Sequence, residues 1–298
     1  MRFLTCCYQP DSPPCLAVWL ESGWFQLEGC RDFSDWLRQT PAEREQRLRT
    51  ARPITPTVYL PPVLTPPSIR DFYAFEAHVR NARRRRGQEM PPEWYQLPAF
   101  YFSNPASLLG HEQPLRKPPD TEQLDYELEL AVIIGTEGGD WNLQEAEAAI
   151  AGFTIMNDWS ARDIQQLEMR IGLGPAKAKD FATSLGPWVV TPDELARWRE
   201  PDPQRGSRWR LPMRAWVNNI LLSEGNAGDM HWTFAELIAH ASRNTRLRIG
   251  DVIGSGTVGT GCLLEQAEGT HRWLQPGDIV ELEIEGIGHL RNPIVSAD

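Results

Sequence analysis

Residues 124–134 read LDYELELAVII, and three of them are carboxylates on one side of an alternating pattern. Leu124, Tyr126, Leu128, Leu130 and Val132 alternate as one face of a half-buried strand. Asp125, Glu127 and Glu129 take the other face, which turns apolar again at Ala131 and Ile133. Glu127 and Glu129, at i and i+2, project the same way with Cα atoms about 6.7 Å apart. Buried and unpaired, two such groups would not both stay ionised near neutral pH. Either that face meets water or a cation sits against it, and hard divalent ions such as Mg²⁺, Mn²⁺ or Ca²⁺ prefer oxygen ligands. A paired-carboxylate glycosidase is the weaker reading, because its acid and nucleophile must flank the scissile bond from opposite sides.

Other stretches carry chemistry-bearing residues. In SIRDFYAFEAHVRNA the Ser68–Asp71 spacing is that of a capping box, which predicts a helix from Ile69. On such a helix Asp71 and His78 share a face about 10 Å apart. In IMNDWSARDIQQLEM a strand runs into Asn157 and Asp158, and a helix follows. Asp158, Arg162 and Gln165 then fall at i, i+4 and i+7, while Asp163 serves Ser160 as a capping partner. In LGPAKAKD, Lys177 and Lys179 point the same way if the chain is extended.

GDVIGSGTVGTGCLLEQ holds a literal G-x-G-x-x-G at Gly254, Gly256 and Gly259. A dinucleotide fingerprint needs a helix opening on the glycines inside a βαβ unit. Here Cys262–Glu265 reads as a short strand, so a nucleotide site is rejected. The glycines allow backbone N–H groups and Thr257 to approach a ligand closely.

These residues need elements to hold them. Residues 1–60 read as a small N-terminal domain, with a hairpin across Glu21–Gly23 and a polar helical stretch, SDWLRQTPAEREQRLRT. TPTVYLPPVLTPPS carries five prolines and marks the boundary to residues 61–298. Strands are expected near 124–134, 152–157, 186–190, 212–222, 251–254 and 278–285, and helices near 143–150, 160–170 and 233–243. That irregular order predicts an α+β fold with a large sheet system.

The 298 residues carry a formal charge of −10, which argues against a nucleic-acid surface. No apolar run approaches a membrane span or a signal peptide, so a cytoplasmic location is expected. Five cysteines fit free thiols in a reducing compartment. Cys6, Cys7, Cys15 and Cys30 lack the spacing of a tetrahedral zinc site.

Together the motifs resemble the fumarylacetoacetate hydrolase family. The matching blocks are D-F-Y-x-x-x-x-H (Asp71–His78), L-D-x-E-x-E (Leu124–Glu129), N-D-W-S-A-R-D-I-Q (Asn157–Gln165), L-G-P-x-x-x-K (Leu173–Lys179), S-G-T (Ser255–Thr257) and L-E (Leu264–Glu265). The resemblance spans about residues 69–290. It implies a mixed β-sandwich roll with peripheral helices and a small strand-rich N-terminal segment.

It further implies that Asp71, Glu127, Glu129 and Asp158 hold a divalent metal, Mg²⁺ first, with Lys179 beside it. Arg162, Gln165, Tyr101 and Thr257 match substrate contacts, and His78 with Glu265 matches the water-activating pair. The implied activity is hydrolysis of a C–C bond in a small 1,3-diketo acid by a homodimer. Decarboxylase or tautomerase work on a small oxo-dicarboxylic acid at the same metal is the alternative. A non-catalytic, metal-stabilised binding protein is the reading from a different class. The Arg83–Arg86 run is either a solvated charge run or part of a lid that attracts an anionic substrate.

Overall fold

A computed structural model describes residues 1–85, 87–266 and 271–297. Two sheets face each other across the main apolar core. Among the described residues the larger sheet has 12 strands. Ten follow one path, Arg52–Ile54, Gly23–Leu27, Cys15–Leu20, Arg2–Cys7, Thr183–Val190, Ile150–Asp158, Leu128–Ile134, Val252–Gly254, Ile69–Phe72 and Phe100–Ser103, while Val58–Tyr59 pairs with Arg2–Cys7 and Leu108–Leu109 with Thr183–Val190. The smaller sheet orders Ile220–Asn226, Pro212–Val217, Ile279–Ile284, Gly288–Val295 and Leu115–Arg116. Mixed sheets with a few peripheral helices make the fold α+β.

The core follows from strand alternation. Leu128, Leu130 and Val132 join Phe153 and Ile155 on one side of the large sheet. They meet Met213, Ala215, Val280 and Leu282 of the small sheet and Phe234, Leu237 and Ile238 of the helix Phe234–Ala241. The opposite face of Leu128–Ile134 is buried too. Ile133 lies under the N-terminal cluster of Phe3, Leu16, Phe33 and Trp36, and Ala131 packs with Ile69 and Met156. The strand therefore has no face on water, and Glu129 is left inside.

Several expected elements come out differently. The strand expected over 124–134 is interrupted: Leu124–Asp125 pairs with Ser160–Ala161, and the chain rejoins the large sheet only at Leu128. In the gap, Glu127 N donates to Asn157 Oδ1 at 2.9 Å and Leu128 N to Gly261 O at 3.0 Å. The strand expected over 212–222 is a hairpin turning at Asn218 and Asn219, both with positive φ.

The helix expected from Ile69 starts at Glu76 instead. Ile69–Phe72 is a strand, parallel to Val252–Gly254 and antiparallel to Phe100–Ser103. With neighbours on both sides its backbone groups are satisfied by the sheet, which overrides the local capping pattern. Ser68 Oγ donates to Asp251 Oδ1 at 2.7 Å rather than capping anything. Nor does Asp163 cap Ser160: it accepts from Thr121 Oγ1 and Glu122 N. Residues 263–265 form a 3₁₀ turn, not a strand.

The N-terminal residues continue the large sheet directly, because Arg2 and Phe3 pair with Val190 and Val189. The polar stretch after the hairpin forms two helices, Phe33–Leu37 and Pro41–Arg49, the second opened by a Thr40–Glu43 capping box. All five cysteines are buried free thiols. Among the described residues, no helix is long and apolar enough to cross a membrane.

Candidate active site

The sheet order explains how four distant carboxylates meet. Ile69–Phe72, Val252–Gly254, Leu128–Ile134 and Ile150–Asp158 are successive neighbours in the sheet. Asp71 comes from the first, Glu129 from the third, Asp158 from the end of the fourth, and Glu127 from the gap before Leu128. One oxygen from each of the four lies within 4.8 Å of the others. All four side chains are buried.

Gly254 sits between them for a steric reason. A Cβ there would come within 2.6 Å of Asp71 Oδ1 and 3.1 Å of Glu129 Oε2. Gly256 adopts φ +77 and donates its N–H to Glu129 Oε2 at 3.1 Å. The glycine turn thus brings backbone up to a carboxylate, not to a phosphate.

The charges divide the site into two halves. Lys179 Nζ donates to Glu127 Oε2 at 2.7 Å and to Asp158 Oδ2 at 2.5 Å. Arg162 Nη2 lies 2.8 Å from Glu127 Oε1. Burial pushes the Glu127 carboxyl up, but Lys179 and Arg162 outweigh it and hold it well below the usual range. Asp71 and Glu129 are held well above that range, by burial and then by neighbouring carboxylates. Asp158 is also raised, by burial that Lys179 only partly offsets. Its Oδ2 accepts a hydrogen bond from the Tyr101 hydroxyl as well.

Asp71 Oδ1, Glu129 Oε1 and Asp158 Oδ1 are buried with no hydrogen-bond partner among the described residues. Orphaned acceptors from three converging carboxylates fit a hard divalent cation, which takes oxygen ligands. Asp71, Glu127, Glu129 and Asp158 would hold it.

A second constellation borders the same cavity. His78, on the helix Glu76–Arg85, is 5 % exposed. Its Nδ1 bonds Glu265 Oε2 at 2.7 Å. Asn81, one turn on, donates to Glu265 Oε1 at 2.9 Å. Burial pushes the Glu265 carboxyl up, yet His78 and Asn81 bring it below its usual range, so it is ionised and accepts from Nδ1–H. In a neutral ring whose Nδ1 donates to Glu265, the lone pair is on Nε2.

The cavity holds about 330 Å³ and is lined by Asp71, His78, Tyr101, Glu127, Arg162, Gln165, Lys179 and Thr257 among others. That is enough for a small acid and little more. Thr257 Oγ1 is buried without a partner among the described residues. Arg162 Nη1 donates to Gln165 Oε1 at 3.1 Å. Lys177, expected beside Lys179, instead points to solvent and pairs with Asp180, because residues 176–180 turn rather than extend. Arg83 lines the cavity and Arg84 and Arg85 finish the helix, while Arg86 lies outside the described residues.

Three contributors were not marked by sequence reasoning. Tyr73 lines the cavity and sets its ring edge-on to His78 at 5.3 Å. Asn81 could have been found, since it stands three residues beyond His78 on a helix. Asp125, whose part the strand pattern left open, is 0 % exposed. It accepts from Arg162 Nε at 2.8 Å and from the amides of Leu263 and Leu264 at 2.7 and 3.0 Å. No local pattern announces that set of partners.

Comparison with known proteins agrees with this architecture. The family profile described as "Fumarylacetoacetate (FAA) hydrolase C-terminal" matches residues 68–295. The chain is 32 % identical over 278 residues to the fumarylacetoacetase of Oryza sativa subsp. japonica, covering 74 % of this chain and 65 % of that one. With the Bos taurus fumarylacetoacetase it is 30 % identical over 295 residues, covering 84 % and 69 %. The chain thus spans about two thirds of the length of these relatives. The solved fumarylacetoacetate hydrolase of psychrophilic Exiguobacterium antarcticum superposes with a TM-score of 0.76 at 25 % identity, covering 99 % of both chains. By its sequence and its fold, this chain belongs to the fumarylacetoacetate hydrolase family.

Proposed function

We propose that the protein is a divalent-metal-dependent hydrolase that cleaves a C–C bond in a small 1,3-diketo acid. One observation carries this reading. The His78–Glu265 pair, joined at 2.7 Å, opens on the same cavity as the four-carboxylate cluster. A structural metal site would have no use for a buried, oriented base beside it.

A divalent metal held by Asp71, Glu127, Glu129 and Asp158, most simply Mg²⁺, would supply Lewis-acid polarisation of carbonyl oxygens. The chain's own residues do the rest. Glu265 fixes the His78 ring and its tautomer, so that Nε2 takes a proton from a water molecule in the cavity. Hydroxide adds to the ketone carbon, and the bond to the adjacent carbon breaks with its electron pair going to the enolate. Lys179, kept cationic by Asp158 and Glu127, is a buried ammonium beside the developing charge. Arg162, Gln165 and Thr257 offer donors for a carboxylate and a carbonyl, and Tyr101 lines the cavity beside them. The relatives named fumarylacetoacetase support this substrate class. The same reading gives a cytoplasmic homodimer, supported by family membership and by five free thiols. Light scattering of the purified protein tests the dimer.

The deciding experiment is a panel of acylpyruvates, fumarylacetoacetate and oxaloacetate, each with EDTA and with Mg²⁺ or Mn²⁺. Metal-dependent release of two acids from a diketo acid supports the proposal. Release of CO₂ from oxaloacetate alone would make the protein a decarboxylase. A flat panel with metal bound would leave it a binding protein.

A further inference from the structure

The described residues contain a second group of potential metal donors, of a different chemical kind from the four carboxylates. His78, Cys262 and Glu265 each place one donor atom within 4.8 Å of the other two. Glu265 Oε2 is the shared point, 2.7 Å from His78 Nδ1 and 3.5 Å from Cys262 Sγ. Cys262 is fully buried and precedes the 3₁₀ turn that carries Glu265.

We propose that His78, Cys262 and Glu265 form a zinc site, and that Zn²⁺ bound there inhibits the enzyme. Zn²⁺ sits about 2.0–2.1 Å from nitrogen, 2.3 Å from sulfur and 2.0–2.2 Å from oxygen. Donors around one tetrahedral ion therefore stand roughly 3.2–3.7 Å apart. The 3.5 Å sulfur–oxygen separation already fits, and the 2.7 Å nitrogen–oxygen separation needs to widen by about 0.5–1.0 Å. His78 lines the cavity, which is the ion's way in.

The donor chemistry sorts the two sites. Four carboxylates suit a hard ion, whereas imidazole, thiolate and a single carboxylate suit Zn²⁺. Thiolate and carboxylate together also neutralise the dication inside a low-dielectric site. Asn81 already holds the second oxygen of Glu265, as a supporting partner of a ligand should.

The proton balance shows why binding would inhibit. Cys262 releases its thiol proton as the Zn–S bond forms. The proton on His78 Nδ1 shifts to Nε2 as Nδ1 takes up the metal. One proton leaves per ion bound, and nothing is oxidised or reduced. Nε2 then carries hydrogen and has no lone pair to accept a proton from water. Binding stands on the geometry alone, while inhibition rests on the proposed role of His78.

The test uses metal-stripped full-length protein with Co²⁺ as a spectroscopic probe. A thiolate-to-cobalt charge-transfer band in the near ultraviolet is expected, retained in Glu129→Gln, lost in Cys262→Ser and Cys262→Ala, and bleached by ZnCl₂. No such band in the wild-type protein, or one that persists in both Cys262 variants, would overturn the site. Under saturating Mg²⁺, ZnCl₂ should then slow turnover about 100-fold, the contribution of a general base. Either Cys262 variant should resist it. Equal inhibition of the variants would overturn the inhibitory role. A wild-type protein that shows the band but turns over no diketo acid would instead sink the hydrolase reading and keep the zinc site.

Discussion

Asp125 and Arg162 meet at 2.8 Å, with 0 % and 5 % of their side chains exposed. Arg162 borders the cavity, and the other two bonds of Asp125 go to the amides of Leu263 and Leu264, beside Glu265. One buried carboxylate therefore sets both a cavity-lining cation and the turn that carries Glu265. Asp125→Asn leaves the Arg162 charge short of a partner and puts an amide donor where donors already converge. We expect a loss of about 3 kcal/mol of folding stability, as for other broken buried ion pairs. Loss of positioning should also cost ~100-fold in kcat/KM. An unchanged urea midpoint would contradict this account.

Metal removal should be visible without any substrate. Asp71 and Glu129 share a buried site in which burial first, and then a neighbouring carboxylate (Asp158 for Asp71, Asp71 for Glu129), raises the cost of ionising them. Mg²⁺ at about 100 times its Kd should stabilise the fold by about 2.7 kcal/mol. Glu129→Gln removes one charge from the cluster and keeps an acceptor for the Gly256 amide. Its metal-free form should melt higher than metal-free wild type, while its gain from Mg²⁺ shrinks. Thermal unfolding with EDTA and with Mg²⁺ reads both effects, and opposite shifts would refute the assignment.

Catalysis should separate from metal binding at the His78–Glu265 pair. His78→Asn and Glu265→Gln should lower kcat by ~10²–10⁴-fold, the usual worth of a general base. Mg²⁺ should still raise their unfolding temperature. Asn81→Ala frees one oxygen of Glu265 and should lower kcat less, with little change in KM. If the His78 variants keep full hydrolysis, the base lies elsewhere.

Acid stability should depend on Asp278, far from the cavity. Its carboxylate takes two bonds from Arg272, at 2.6 and 2.7 Å, and one each from Asn218 and the Gln275 amide, both at 2.8 Å. Burial pushes it up, but these donors bring it down to about 2 from an ordinary 3.8. A carboxyl lowered on folding adds stability above its unfolded pKa. That stability is lost as pH falls from about 4 through about 2. Asp278→Asn should be less stable than wild type at pH 7 and lose less on acidification. Denaturation curves at pH 7, 4 and 2 measure the difference, and parallel losses would contradict it.

What local pattern can carry was legible. Strand alternation in LDYELEL put Glu127 and Glu129 on one face, and the helix near 233–243 and the strands near 251–254 and 278–285 follow from period and turn residues. Glycine's conformational freedom marked the turn at 254–261, although a 3₁₀ turn and not the expected short strand follows it. The misread helix start at Ile69 has a non-local cause. Ser68 and Asp71 make a good capping box in isolation, yet Ile69–Phe72 pairs with Val252–Gly254, some 180 residues away. Non-local hydrogen bonds outweighed a local preference.

The residue types and spacings by themselves determined that carboxylates, a lysine, an arginine and a histidine were available at positions able to do metal and proton chemistry. Only the tertiary structure decided that the Ile69–Phe72 strand, not a helix, brings Asp71 to Glu129. Asp125's partners and Cys262's place beside Glu265 and His78 were likewise set there. The reason is physical: alternation constrains which face a side chain takes, but the partner across a sheet or a turn is fixed by packing between segments that sequence distance keeps apart.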